Sequence, residues 1–210
     1  MTTRKTSIPR RSSPLGRALA GAAVVALALT GCTSQNDDLA ANFGDGTTEN
    51  YISGSGTVTE IAPEDRGDPV EFTSETDTGE TLSRSDYDGD VVVLNFWYAA
   101  CGPCRAEAPV LEQTYQDTKG DGAHFLGVNI YDGPEQATSF DETYKITYPS
   151  ILARGDVDLK LAFADWTSLQ AAPTTLVVDR KGRVAARLFG QLPDATTLRE
   201  LVDDTLAEKG

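Results

Sequence analysis

Residues 91–111, VVVLNFWYAACGPCRAEAPVL, constrain this chain more than any other stretch. The run over residues 91–98 is apolar, β-branched and aromatic, which predicts a buried parallel strand. It leads into Cys101-Gly102-Pro103-Cys104, after which Ala106, Val110, Leu111 and Thr114 recur at helical spacing. Pro103 falls where a first-turn proline is tolerated, so Cys101 is expected at a helix N-terminus. Unpaired N–H groups and the helix dipole favour an anion there. The anion would be a thiolate, the nucleophile of disulfide exchange, its pKa drawn from about 8.5 toward about 7 or below.

A Cys-x-x-Cys tetrad serves as half a zinc site, a staple or a redox pair. Zinc needs a second pair of ligands, and the chain has one histidine and three cysteines in all. A four-ligand site is therefore nearly excluded, and no metal or cofactor is expected beyond the cysteine pair itself. A staple across two residues constrains the unfolded chain little, because the entropic gain grows with loop length. Redox work remains, and a Cys-x-x-Cys beside a βαβ pattern is a strong signal for it.

The third cysteine has a separate explanation. Residues 1–31 carry Arg4, Lys5, Arg10, Arg11 and Arg17 and no acid, and an apolar segment covers residues 18–29. This is the pattern of a secretory signal, short for a membrane span. It ends in Leu29-Thr30-Gly31-Cys32, which resembles the bacterial lipoprotein lipobox. That resemblance implies that Cys32 is the lipid attachment site and the mature N-terminus, held to the outer face of the cell membrane by its acyl chains. One pair, Cys101 and Cys104, is then left. The whole chain has 18 basic and 32 acidic residues, and five of the bases lie in the leader. Such an acidic surface argues against nucleic acid and against attraction to anionic headgroups.

Residues 32–68, rich in Gly, Ser, Thr, Asn and acid, are expected to form a flexible tether. A folded domain is expected over residues 69–210, long enough for one core. Residues 70–73 and 81–82 flank a polar turn and predict a hairpin. The spacing then predicts a strand over 91–98, a helix over 103–119 and a strand over 124–131. A helix over 135–144, an extended piece over 149–152 and a short helix over 157–163 follow. Strands over 175–178 and 184–188, joined by Asp179-Arg180-Lys181-Gly182, precede a closing helix over 196–207. The order describes an α/β fold, a mixed sheet with helices on both faces.

Phe96-Trp97 ahead of the tetrad, Pro109 five residues after Cys104, and Ala172-Pro173-Thr174 downstream resemble a thioredoxin-like fold. The export signal, Asn95-Phe96-Trp97, Gly127-Val128-Asn129 and the stretch over residues 173–190 are similar to the TlpA/ResA-like thiol–disulfide oxidoreductases. The resemblance implies a mixed central sheet flanked by helices, with an N-terminal β-hairpin and a central αβ insertion. It implies that Cys101 is the exposed attacking thiol and Cys104 the resolving one, with Gly102 and Pro103 between them. Ala172-Pro173 is expected as a cis peptide facing the sulfurs, a wall of the substrate groove, with Trp97 beside it. Pro109 is expected to kink its helix.

Two departures matter. Where cytoplasmic thioredoxins carry a buried Asp, this chain has Asn95, which takes no proton. The TlpA/ResA-like pattern instead offers Glu107, three residues after Cys104 and so on the same helical face. A desolvated carboxyl there is suited to shuttling the proton of Cys104. The other departure is Ala100, where most relatives have Trp.

His124 is expected in a strand-end role, and Trp166 either in the core or on the rim of the groove. Relatives often act as reductases on exported proteins, including apocytochrome c, fed by a CcdA-like membrane electron donor. The Gly-Pro spelling leans toward a reductase, and the competing reading is an oxidase that introduces disulfides. A peroxidase would need Thr or Ser where Tyr98 stands, three residues before Cys101. A scaffold without chemistry would have no use for both cysteines.

Overall fold

The computed structural model describes residues 50–53, 56–167 and 172–208. The leader and Cys32 lie outside them. Among the described residues, a seven-stranded sheet is built from β1 (Asn50–Ser53), β2 (Gly56–Glu60), β5 (Val91–Trp97), β6 (Ala123–Asn129), β7 (Ser150–Leu152), β8 (Thr174–Val178) and β9 (Val184–Phe189). Their order across the sheet is β1-β2-β9-β8-β5-β6-β7. A separate hairpin pairs β3 (Thr73–Glu75) with β4 (Thr81–Ser83). The helices are α1 (Gly102–Thr118), α2 (Pro134–Tyr144), α3 (Val157–Ala162) and α4 (Ala195–Ala207).

β5 is the axis. It pairs parallel with β6 and antiparallel with β8, and all seven of its residues are buried. A strand covered on both faces needs a continuous apolar run, which is what residues 91–97 supply. Side chains alternate across it. Val91 and Val93 join Leu111 of α1 and Leu198, Leu201 and Val202 of α4 in one core. Val92, Leu94 and Phe96 face the other way, toward Val70, Phe72, Leu159 and Phe163. Helices thus cover both faces of a mixed sheet. Asn95 and Trp97 fall on the α1 side, which fixes where the chemistry sits.

The fold starts earlier than the sequence predicts. Part of the expected tether over residues 32–68 is strand, with β2 paired antiparallel to β9, Val58 opposite Leu188. Val58 is buried in the α1–α4 core. Arg66 from the same stretch is also buried. Its Nη1 donates to Asp179 Oδ2 at 2.9 Å and its Nη2 to Glu208 Oε1 at 2.5 Å. Isolated apolar residues in a polar segment give no periodicity to read; the partners of β2 lie about 130 residues further along the chain. No helix among the described residues is long and apolar enough to cross a membrane.

Candidate active site

Cys101 is the N-cap of α1, and its Sγ accepts the backbone N–H of Cys104 at 3.1 Å. A side-chain atom at this position takes one of the orphan donors of the first turn, so the sulfur stands where negative charge is stabilised. The two sulfurs form a disulfide with Cα atoms 5.2 Å apart. Gly102 and Pro103 are exposed, whereas both cysteines are buried. The expectation of an exposed Cys101 is corrected here: as the disulfide it is 3% exposed, in a cluster with Trp97, Ala108, Ala137 and Phe140.

The loop before the tetrad is clamped by side chains that sequence reading did not single out. Ala99 N–H donates to Asp132 Oδ2 at 2.5 Å, and Arg105 Nε donates to the Ala99 carbonyl at 2.7 Å. Asp132 is itself held by Asn129 Nδ2 at 2.9 Å, while Asn129 Oδ1 accepts the N–H groups of Tyr131 and Asp132. This turn at the end of β6 locks the register of the loop next to it. Gly127-Val128-Asn129 carried the only trace of it in the sequence.

Trp97 is 3% exposed and packs its ring on Phe140 with centroids 4.2 Å apart. It packs beside the disulfide, in the buried cluster that holds both cysteines. Its Nε1 lies over Gly127, where a Cβ would come within 2.7 Å of it and 2.2 Å of Ser150 Oγ. Glycine is required there by close approach rather than by φ. Ala172–Pro173 is a cis peptide, and Ala172 packs against the cluster that holds both cysteines. Pro109 lies inside α1, which continues through it.

Glu107 is buried on the same face of α1 as Cys104, 1% exposed. Oε1 accepts from Asn95 Nδ2 at 2.9 Å, and Oε2 accepts from the Leu192 backbone N–H at 3.0 Å. Asn95 also donates to Thr175 Oγ1 at 3.1 Å. Burial outweighs these two bonds and pushes the carboxyl up to about 7. It is therefore poised to exchange a proton at neutral pH. Asn95 takes no proton, but it orients the group that does.

Other residues fall elsewhere. His124 pairs with Asp90 at 3.1 Å and packs on Tyr87 at the edge of the domain. Trp166 packs against the Phe163 core, on the opposite side of the sheet from Trp97. Among the described residues, no group of three or more His, Cys, Asp or Glu is arranged to hold a metal. A cleft of about 450 Å³ opens beside the tetrad between α1 and α2, lined among others by Ala99, Arg105, Glu135, Phe140 and Tyr144.

Residues 67–187 match the AhpC/TSA family, more than half of the chain, and the chain belongs to that family. It is 27% identical over 128 residues to the thiol-disulfide oxidoreductase ResA of Bacillus subtilis, covering 61% of this chain and 69% of that one. To the thiol:disulfide interchange protein HelX of Rhodobacter capsulatus it is 35% identical over 120 residues, covering 57% of this chain and 63% of the relative. The match thus spans about two thirds of the relatives' own length. Among solved structures, a DsbF homologue from Corynebacterium diphtheriae superposes with a TM-score of 0.63 at 29% identity, covering 75% of this chain and 99% of that one. A secreted thiol-disulfide isomerase from Corynebacterium glutamicum shares the fold, with a TM-score of 0.66 at 24% identity, covering 78% and 100%.

Proposed function

We propose that this member of the AhpC/TSA family is a thiol–disulfide oxidoreductase that reduces disulfides in exported proteins. The observation that carries the reading is the Cys101–Cys104 disulfide at the N-terminus of α1, with the Cys101 sulfur already accepting the Cys104 N–H. In the reduced protein the Cys101 thiolate attacks one sulfur of a substrate disulfide, and the other substrate sulfur leaves. Cys104 then loses its proton and attacks Cys101 Sγ, the second substrate sulfur leaves, and two electrons have passed to the substrate. Glu107, its carboxyl pushed up to about 7 by burial, gains and loses a proton near neutral pH on the buried side of this pair. The Ala172–Pro173 edge and the cleft beside Ala99 flank the disulfide and offer an extended peptide two surfaces.

The resemblance to ResA and to HelX, together with the leader, supports a finer reading. The protein is anchored through lipidated Cys32 on the outer face of the bacterial membrane, takes electrons from a CcdA-like membrane donor, and counts apocytochrome c among its substrates. Trapping tests it. A Cys104→Ser chain leaves the Cys101 mixed disulfide unresolved, so exported cysteine proteins are expected to accumulate on Cys101. Recovery of none, with Cys101 still reactive toward a small disulfide, would leave the fold as a scaffold.

A further inference from the structure

Beside Cys104 lies a small cavity. Its walls include Cys104, Asn95, Asp141, Tyr148 and Ser150, and about 10 Å³ of it is open to the centre of a water molecule. That is room for one water. Two polar atoms of the wall lack a hydrogen-bond partner within the protein although they are buried: Ser150 Oγ, from a residue 0% exposed, and Asp141 Oδ1. Unpaired buried groups are costly, and a bound water is the usual remedy. Glu107 does not line this cavity, and both of its oxygens already accept hydrogen bonds.

We propose that the cavity binds one water linking Cys104 to Asp141, and that the proton Cys104 gives up when it closes the disulfide leaves through this water, Asp141 and Asp77. The proposal rests on the thiol–disulfide reading above. Asp141 sits half-buried near the end of α2, and Asp77, from the β3–β4 turn, lies against its carboxyl and is partly open to solvent. The Asp77 N–H is bonded to the Ser150 carbonyl at 2.9 Å, so the turn is fixed over this wall of the cavity. The groups facing Asp141 are Asp77, Glu112 and Cys104 from α1, and Tyr148 from the segment before β7. Burial first, then the neighbouring Asp77 and Glu112 charges, push the Asp141 carboxyl up to about 8. It can thus accept a thiol proton through the water and pass it outward. In that step the Cys104 S–H bond breaks, a sulfur–sulfur bond to Cys101 forms, the substrate thiolate leaves, and Asp141 ends protonated before Asp77 returns the proton to bulk.

The test follows the two steps separately in the full chain carrying Cys32→Ser, reduced and mixed with Ellman's disulfide in a stopped flow. The first release of thionitrobenzoate reports attack by Cys101, and the second reports closure by Cys104. In the native pair, closure should accelerate through a limb near pH 8. Asp141→Asn should abolish that limb and slow closure about tenfold at pH 8 while leaving the first release unchanged. Ser150→Ala should slow closure in the same direction. Asp77→Asn, which removes a like charge at a half-exposed turn, should move the limb to lower pH. Closure in Asp141→Asn with an unaltered pH profile and a rate within about twofold of native overturns the proposal. Should that variant not fold, an unmoved limb in Asp77→Asn overturns it. Loss of the first release in the native pair would instead remove the thiol–disulfide reading itself.

Discussion

Asn95 Nδ2 lies 2.9 Å from Glu107 Oε1, joining the central strand to the helix that begins at Cys101. A residue that cannot titrate thereby holds one that does. The pair places a carboxyl on the buried side of the redox helix without the strand acid that cytoplasmic thioredoxins use. Its energetic sign follows from linkage. Glu107 is lifted to about 7 from an ordinary value of 4.5 by burial, so the native state keeps a proton that the unfolded chain has already released.

Stability from this group is fully present below pH 4.5 and falls as pH rises to about 7, a loss of about 3 kcal/mol. Glu107→Gln should flatten that decline in urea unfolding of the oxidised protein measured between pH 4.5 and 8. An unchanged pH slope would show that Glu107 is charged in the native state at neutral pH.

Gly127→Ala tests the packing under the disulfide. The new Cβ would meet Ser150 Oγ at 2.2 Å and Trp97 Nε1 at 2.7 Å, and both side chains are buried. Overpacking of this kind costs about 1–3 kcal/mol. Thermal unfolding should show the loss, and Ser150→Gly in the same chain should recover part of it. A melting temperature unaltered by Gly127→Ala would refute the close approach.

Arg66 is the next test, because it lies in the stretch that the sequence presents as a tether. Its guanidinium bridges Asp179 and Glu208 with 4% of its side chain exposed. Arg183 also pairs with Asp179, at 2.8 Å, so part of the buried charge stays compensated when Arg66 is removed. Arg66→Ala should cost on the order of 3 kcal/mol in denaturant unfolding, the lower end for a broken buried pair. A loss within about 0.5 kcal/mol would return residues 50–68 to the status of a tether.

Much of this was legible in the sequence where the physics is local. The apolar run of β5, the proline at the start of α1 and the helical spacing of α4 are near-neighbour patterns, and the structure has elements within a residue or two of those predicted. Glu107 was reachable through the resemblance to the TlpA/ResA-like pattern, and its three-residue spacing to Cys104 placed it on the same helical face. What escaped depends on distant partners. Val58 and Arg66 acquire meaning only from β9 and the C-terminal helix. Asp132 matters because it reaches the Ala99 N–H, and Asp141 and Ser150 because they share a cavity with Cys104. Burial of Cys101 arises from Trp97 of β5 and from Ala137 and Phe140 of α2, two separate elements brought against the start of α1. Spacing along one chain carries no record of such meetings.

The central claim is that Cys101 and Cys104 form a reducing dithiol, and its equilibrium potential against glutathione tests that most directly. A stabilised Cys101 thiolate favours the reduced form, which pulls the potential up; the Gly-Pro spelling between the cysteines is that of thioredoxin, near about −270 mV. The account predicts a value below about −200 mV, on the side from which electrons flow to exported disulfides. A value above about −150 mV, toward the strong oxidants near about −120 mV, would contradict it and make the protein a donor of disulfides.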